Sequence, residues 1–112
     1  MRHNESKLQQ ACVRWFRYQY PTALICAIPN GGYRSPIEAK IMKSEGVTAG
    51  MPDLLICLPY EKTLFVELKT EKGNLTECQE VMHERLRKLG YGVHVVRSID
   101  DFKCLIDEEV NQ

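Results

Sequence analysis

The sequence lacks the features that mark membrane, secreted and zinc-knuckle proteins. None of its apolar runs approaches the ~18–20 residues that a membrane span needs. Its first residues are polar, so we expect neither a secretory signal nor a membrane partner. The five cysteines are scattered and never spaced Cys-x-x-Cys, which argues against a disulfide framework and a zinc knuckle. They predict reduced, buried thiols in a cytoplasmic protein, in a host's cytoplasm if the gene is carried by a phage.

Net charge is also lacking, because 15 basic and 15 acidic side chains cancel. The chain therefore has no global basic footprint of the kind that many DNA-binding domains show. The distribution is uneven: residues 1–56 carry seven Lys/Arg and four Asp/Glu, whereas residues 57–112 carry eight and eleven. A basic first half permits nucleic-acid binding on one face without predicting it.

The length and hydrophobic pattern predict one α/β domain over residues 1–112. We interpret 23–28 as a buried strand and 53–58 as a central strand, because both are short apolar runs. Strands at 63–69 and 91–97 complete a mixed sheet. The predicted helices cover 4–18, 35–46, 76–90 and the segment after Ser98.

The local sequence predicts where helices start and which of their faces point inward. Ser35-Pro36-Ile37-Glu38 and Thr76-Glu77-Cys78-Gln79 each match a capping box. Periodicity predicts the inward residues of the last two helices, which are Cys78, Met82, Leu86 and Leu89 in one and Phe102, Leu105 and Ile106 in the other.

Charged residues converge at one end of the predicted 53–58 and 63–69 hairpin. Residues two apart on a strand share a face, so Glu67 and Lys69 project together. The short turn makes the strands antiparallel, and Asp53 then returns beside the end of the other strand. Carboxylate oxygens suit a hard cation such as Mg²⁺, and a lysine can orient an attacking water.

A simpler interpretation competes with this one. Glu-x-Lys on a strand is often a solvated ion pair, and Pro-Asp often only starts a turn. However, Asp53, Glu67 and Lys69 sit on the two most apolar strands, where charged side chains are uncommon unless they are paired or functional.

The hairpin register provides a test. Pairing Leu58 with Thr63 would place Asp53 opposite Leu68, on the wrong face for sharing a metal with Glu67. We therefore predict an odd-length turn or a bulge, with partner numbers that sum to about 120.

Several ordered blocks resemble the VRR-NUC family of the PD-(D/E)xK nuclease superfamily, over Glu5 to about Phe102. The resemblance implies a restriction-endonuclease-like fold with a mixed four-stranded sheet flanked by helices, in which the 35–45 helix is an insertion. The blocks are Gly46-Val47-Thr48-Ala49-Gly50-Met51-Pro52-Asp53-Leu54, Phe65-Val66-Glu67-Leu68-Lys69, Leu75-Thr76-Glu77-Cys78-Gln79, Asn30-Gly31-Gly32 and Val95-Val96-Arg97-Ser98.

The resemblance also implies residue roles. Asp53 and Glu67 would be ligands of Mg²⁺ or Mn²⁺, with the backbone carbonyl of Leu68 as a third. Lys69 would position the attacking water and stabilise charge on the phosphate.

Glu5 matches an acidic residue of the family's first helix, which is often a further metal ligand, either directly or through water. It shares the inward stripe of that helix with apolar residues, although an acid favoured by the helix dipole is an equal alternative. Gln79 matches a family glutamine that positions water or phosphate, and it also completes a capping box.

Predicted nucleic-acid contacts come from the basic first half. Asn30 and Gly31 belong to a loop where glycine allows close backbone approach to DNA, although a plain turn would look the same. Arg34, Lys40 and Lys43 are candidate phosphate contacts.

The sequence thus predicts a Mg²⁺- or Mn²⁺-dependent DNA endonuclease with no small-molecule cofactor. The resemblance to junction-resolving members favours a homodimer that acts on four-way junctions. The alternatives are a flap- or nick-processing nuclease and a catalytically inactive nucleic-acid-binding module on the same fold.

Overall fold

The computed structural model describes residues 2–29 and 34–112. Within these residues, eight elements follow one another in the predicted order. The elements are α1 Arg2–Gln19, β1 Leu24–Ala27, α2 Pro36–Ser44, β2 Leu54–Leu58, β3 Lys62–Leu68, α3 Glu77–Lys88, β4 Gly92–Val96 and α4 Ile99–Val110.

The four strands form one mixed sheet in the order β1-β2-β3-β4. β1 pairs antiparallel with β2, β2 antiparallel with β3, and β3 parallel with β4. The predicted α/β fold class is confirmed. The interpretation of residues 23–28 as a buried strand is wrong, because β1 lies at the sheet edge and only Ile25 is buried, while Leu24 is 56% exposed.

The β2–β3 register confirms the predicted odd-length turn. Leu58 pairs with Lys62 and Leu54 with Val66, so partner numbers sum to 120. Tyr60 and Glu61 in the connecting turn both have positive φ, at 64° and 63°. Continued by one residue, this register sets Asp53 opposite Glu67, on the same face of the sheet.

The sheet has an apolar layer on each face. α1 and α4 cover one face with Cys12, Phe16, Phe102 and Ile106, which pack on alternate residues of the strands. α3 covers part of the other face, where Met82 and Leu86 pack on Phe65 and Val93. Glu67 and Lys69 share this second face with Phe65 because they lie two and four residues further on.

Two predictions about buried residues need correction. Met82 and Leu86 of α3 are buried as expected, but Cys78 is exposed and Leu89 is 74% exposed, and both lie at the ends of the helix. Of the cysteines, all free, Cys12 alone is fully buried, and burial raises the pKa of its thiol to about 12.

α2 carries the predicted capping box, in which Ser35 Oγ accepts from the Glu38 N–H and Glu38 Oε1 accepts from the Ser35 N–H. It has no buried residue, which suits an insertion on a complete core. In the part of the chain that the structure describes, no helix combines the length and apolar character that crossing a bilayer requires.

Candidate active site

Asp53 is held in place from two sides at the start of β2. Its backbone carbonyl accepts a hydrogen bond from the Ile28 N–H at 2.8 Å, which continues the β1–β2 ladder. Its side-chain Oδ2 accepts from the Leu68 N–H at 2.7 Å. The carboxylate therefore bridges to the end of β3, as the predicted convergence requires.

Gly50 brings the loop before Asp53 against the start of α3. Its φ is +84°, and a Cβ built there would lie 2.5 Å from the backbone oxygen of Cys78. Only glycine permits this approach. The close contact places Asp53 and the first turn of α3, which carries Gln79, on the same side of the sheet.

Glu67 is the most deeply buried charged residue of the site, at 2% exposed. Its Oε1 lies 3.1 Å from His83 Nε2, and its Oε2 accepts from Gln79 Nε2 at 3.3 Å. Burial raises the pKa of this carboxyl to about 9, and the negative charge of Asp53 and a hydrogen bond shared with it act in the same direction. Lys69 opposes the rise, and Glu5 adds to it.

Gln79 connects the cap of α3 to the acidic site. Its Oε1 accepts from the Thr76 N–H at 3.0 Å, while its own N–H donates to Thr76 Oγ1 at 3.1 Å. The other end of the amide reaches Glu67. This geometry makes Gln79 a positioning residue for Glu67, and the predicted contact with phosphate or water stays a prediction.

His83 belongs to the site, although the sequence analysis did not select it. Its side chain is fully buried, and among the described residues its Nδ1 has no hydrogen-bond partner. Burial lowers the pKa of His83, as do the positive charges of Arg87 and Lys69, while the negative charge of Asp53 opposes the shift; the net direction favours the neutral imidazole beside Glu67. The available signal was its position four residues after Gln79, on the same helix face.

Lys69 lies directly after β3 and is 8% exposed. Its backbone N–H donates to the Val96 carbonyl at 3.1 Å, which extends the β3–β4 pairing. Its ammonium lowers the pKa of Glu67, as expected from two side chains on one strand face.

Glu5 reaches the site from the first turn of α1. It is half-buried and, together with Asp53, lines an open groove of about 700 Å³ between α1 and the end of β1. We call this cavity the α1 groove. The proximity of Glu5 to Asp53 and its effect on Glu67 fit the predicted shared site.

A metal ion was predicted here, and the donor set suits one. Asp53 and Glu67 hold more negative charge together than a buried site tolerates, as the raised pKa of Glu67 indicates. Within residues 2–29 and 34–112, no three His, Cys, Asp or Glu side chains form a metal-binding group by themselves. Mg²⁺ commonly uses only one or two carboxylates and completes its shell with water and substrate phosphates.

Leu68 supplies a further donor beside this pair. Its N–H points at Asp53, and the N–H and C=O of one strand residue point to the same side. The backbone oxygen of Leu68 therefore faces Asp53, where the resemblance places the third ligand. Its role as a ligand stays a prediction.

The predicted nucleic-acid contacts are not brought to this cluster by any described interaction. Asn30 and Gly31 lie outside the described residues. Arg34, Lys40 and Lys43 are exposed, and Arg34 Nε donates to Met42 Sδ at 2.9 Å. Their role in binding DNA stays a prediction.

Comparisons with known proteins identify the family and the fold of the chain. A family model described as the VRR-NUC domain matches residues 3–100. A solved structure described as "VRR_NUC domain" is 31% identical, with 92% of this chain and 94% of that chain covered and a TM-score of 0.64. A second, "VRR_NUC domain protein", is 28% identical, with 96% and 88% covered and a TM-score of 0.71. No curated protein matches the chain significantly.

Proposed function

Because the chain belongs to the VRR-NUC family of nuclease domains, we propose that it is a metal-dependent DNA endonuclease that hydrolyses phosphodiester bonds. The observation that carries the proposal is the convergence of Asp53, Glu67 and Lys69, of which Asp53 also lines the open α1 groove. Charged groups buried together at a groove are typical of catalytic sites, where burial and neighbouring charges shift pKa values.

Each residue has a defined task in this proposal. Asp53 and Glu67 would hold Mg²⁺ or Mn²⁺ with the Leu68 carbonyl, and Glu5 is a further acid at the groove. The bound cation would supply Lewis acidity to the attacking water and the phosphate. Lys69 orients the water and stabilises charge that develops on the phosphate. Gln79 and His83 hold the Glu67 carboxylate in one orientation through its two oxygens.

The reaction breaks the bond between phosphorus and the 3′ oxygen, since water attacks in line with that leaving group. The products carry a 5′-phosphate and a 3′-hydroxyl, as the family resemblance implies. Lys69 makes the charge on the phosphate less costly without forming a covalent bond to it.

Cleavage of labelled DNA with Mg²⁺ and with EDTA tests the activity, with an Asp53→Asn variant beside the wild type. Asparagine keeps an acceptor for the Leu68 N–H, so the fold is retained while the metal-binding charge is lost. We expect metal-dependent cleavage that Asp53→Asn abolishes. Equal cleavage by the variant, or by the wild type in EDTA, would contradict the proposal.

For the substrate, we propose a four-way junction cut by a homodimer. A two-fold dimer presents two identical sites to two opposed strands of a roughly symmetric branched DNA. Pairing two basic first halves also provides a positive channel that one formally neutral chain lacks.

A panel of four-way junction, flap, nicked duplex, linear duplex and single strand, with mass measured by light scattering, tests this choice. We expect a dimer that cuts the junction fastest. A monomer that cuts flaps best would overturn the junction and the dimer but leave the carboxylate chemistry intact. Lys69→Met should bind the junction and fail to cut it, because Lys69 acts on the reacting groups.

A further inference from the structure

The α1 groove continues well beyond the catalytic carboxylates. Along the helix side, residues of successive turns face it, from Glu5 through Gln9 to Arg14 and Arg17. Cys26 and Ala27 of β1 form the opposite wall. The groove is therefore acidic at the proposed cutting end and basic at its far end.

We propose that the α1 groove is the track of the cleaved DNA strand and that Arg14 and Arg17 bind its phosphates. This inference rests on the proposed function, since it adds a strand-binding site to the same active centre. The main phosphate contacts are then Arg14 and Arg17, which the sequence did not single out. They replace the predicted contacts Arg34, Lys40 and Lys43.

The positive charge at the basic end of the α1 groove is available to a ligand. Arg14 and Arg17 are both exposed, and within the described residues neither forms a salt bridge. A guanidinium binds phosphate oxygens through two parallel N–H groups, which suits a polyanionic strand. Gln9, half-buried between the two ends, adds an uncharged donor and acceptor.

The length of the track matches a short stretch of DNA. A helix rises 1.5 Å per residue, so Arg14 and Arg17 lie about 14 and about 18 Å from Glu5 along α1. A strand of B-form DNA advances about 3.4 Å per nucleotide along the duplex axis, and successive phosphates are further apart than this because the strand winds around that axis. The two arginines are therefore placed to contact phosphates a few nucleotides from the scissile bond.

Salt dependence of binding measures these contacts directly. Affinity for a labelled single strand and for its duplex would be measured in EDTA over a range of salt concentrations, for the wild type and for Arg14→Ala/Arg17→Ala. Log affinity falls linearly with log salt concentration. Losing two phosphate contacts should make this negative slope shallower by about 1.4 on the single strand and about 1.8 on the duplex.

Arg85→Ala/Lys88→Ala is the matched control, because it removes two exposed positive charges from the outer side of α3. We expect its slope to equal that of the wild type. The proposal would be overturned if Arg14→Ala/Arg17→Ala had the slope of the wild type. It would also be overturned if the slope of the control became shallower by the same amount. If alanine destabilises α1, Arg14→Gln/Arg17→Gln provides the same loss of charge.

Position along the strand provides a second measurement. An uncharged methylphosphonate is placed in turn at each phosphate within a few nucleotides of the cut. At the positions that the two arginines contact, it should weaken binding by the wild type and leave Arg14→Ala/Arg17→Ala unaffected. Equal weakening in both proteins would contradict the placement. These binding experiments are independent of cleavage, so a cleaving Asp53→Asn variant would refute the nuclease mechanism without altering their outcome.

Discussion

The two ends of the β2–β3 hairpin carry the same charged residue types in opposite environments. At the turn, Glu61 is exposed and Lys62 Nζ lies 2.7 Å from the Glu109 carbonyl and 3.9 Å from its carboxylate. At the open end, Glu67 and Lys69 are 2% and 8% exposed. The charged side chains at the turn are exposed to water or paired with Glu109, whereas those at the open end are buried together.

The open end of the hairpin is where the fold carries an energetic cost. Burying a carboxylate beside another acid is unfavourable, and the rise of the Glu67 pKa to about 9 expresses that cost. A fold under selection for stability alone would place apolar residues there. The buried charges at the open end are therefore best explained by a chemical function.

Glu67→Gln should lower the cleavage rate more than any other substitution considered for the hairpin. The amide keeps the shape of the side chain but removes the charge that holds the cation. We expect the rate to decrease by at least about 10²–10³-fold, the range seen when one preorganised electrostatic group is lost. Single-turnover cleavage with saturating Mg²⁺ measures it.

Glu61→Gln is the control, since it makes the same change at the exposed end of the hairpin. Its rate should equal that of the wild type. Comparable losses in the two variants would mean that the hairpin ends do not differ in function.

His83 provides the next largest effect. His83→Met removes the hydrogen bond to Glu67 Oε1 while filling a similar volume. Groups that orient a metal ligand are typically worth 10–100-fold in affinity, so Mn²⁺ binding measured by calorimetry should weaken by that factor. His83→Gln places an amide nitrogen near the position of Nε2 and should restore most of it.

A merely structural role for His83 would lower the stability of His83→Met but leave the Mn²⁺ affinity of the folded protein unchanged. Equal affinity in the wild type and in His83→Met would therefore reject the positioning role.

The dependence of stability on pH should differ between the wild type and Glu67→Gln. In the metal-free protein the pKa of Glu67 is about 9 when folded and near its ordinary value of 4.5 when unfolded. Between these values the folded state binds more protons, so this stabilising contribution is complete below the unfolded pKa and is lost as pH rises towards 9.

Urea denaturation in EDTA measures this difference. The free energy of unfolding of the wild type should decrease with pH, relative to Glu67→Gln, by up to about 1.4 kcal/mol per pH unit. Parallel pH profiles would show that Glu67 is not held protonated. Added Mn²⁺ should remove the effect, because the cation favours the charged carboxylate.

Local rules in the sequence predicted much of the site. The capping boxes at Ser35 and Thr76 formed, and the facial alternation of β3 required the odd turn that the register shows. These features depend on neighbours within a few residues, and they can therefore be predicted from a single sequence.

Features that depend on tertiary position were not predicted. A short apolar run such as residues 23–28 reads the same in a central strand and at an edge, and β1 lies at the edge. His83 on an inward helix face resembles any core histidine until its contact with Glu67 is known. Arg14 and Arg17 resemble an ordinary solvated helix face until the α1 groove is located beside them.

The smallest expected effect belongs to the turn end. Lys62→Met removes an ion pair whose side chains are 31% and 22% exposed, together with a hydrogen bond to a carbonyl near the end of α4. Partly exposed pairs contribute about 1 kcal/mol or less, so urea denaturation should show a loss of that size and cleavage should be unchanged. Lys69→Met at the open end should show the reverse pattern, with stability retained and cleavage lost, because its ammonium acts on the reaction. If Lys62→Met lowered the cleavage rate as much as Lys69→Met, the two lysines would be equivalent and the functional contrast between the hairpin ends would be lost.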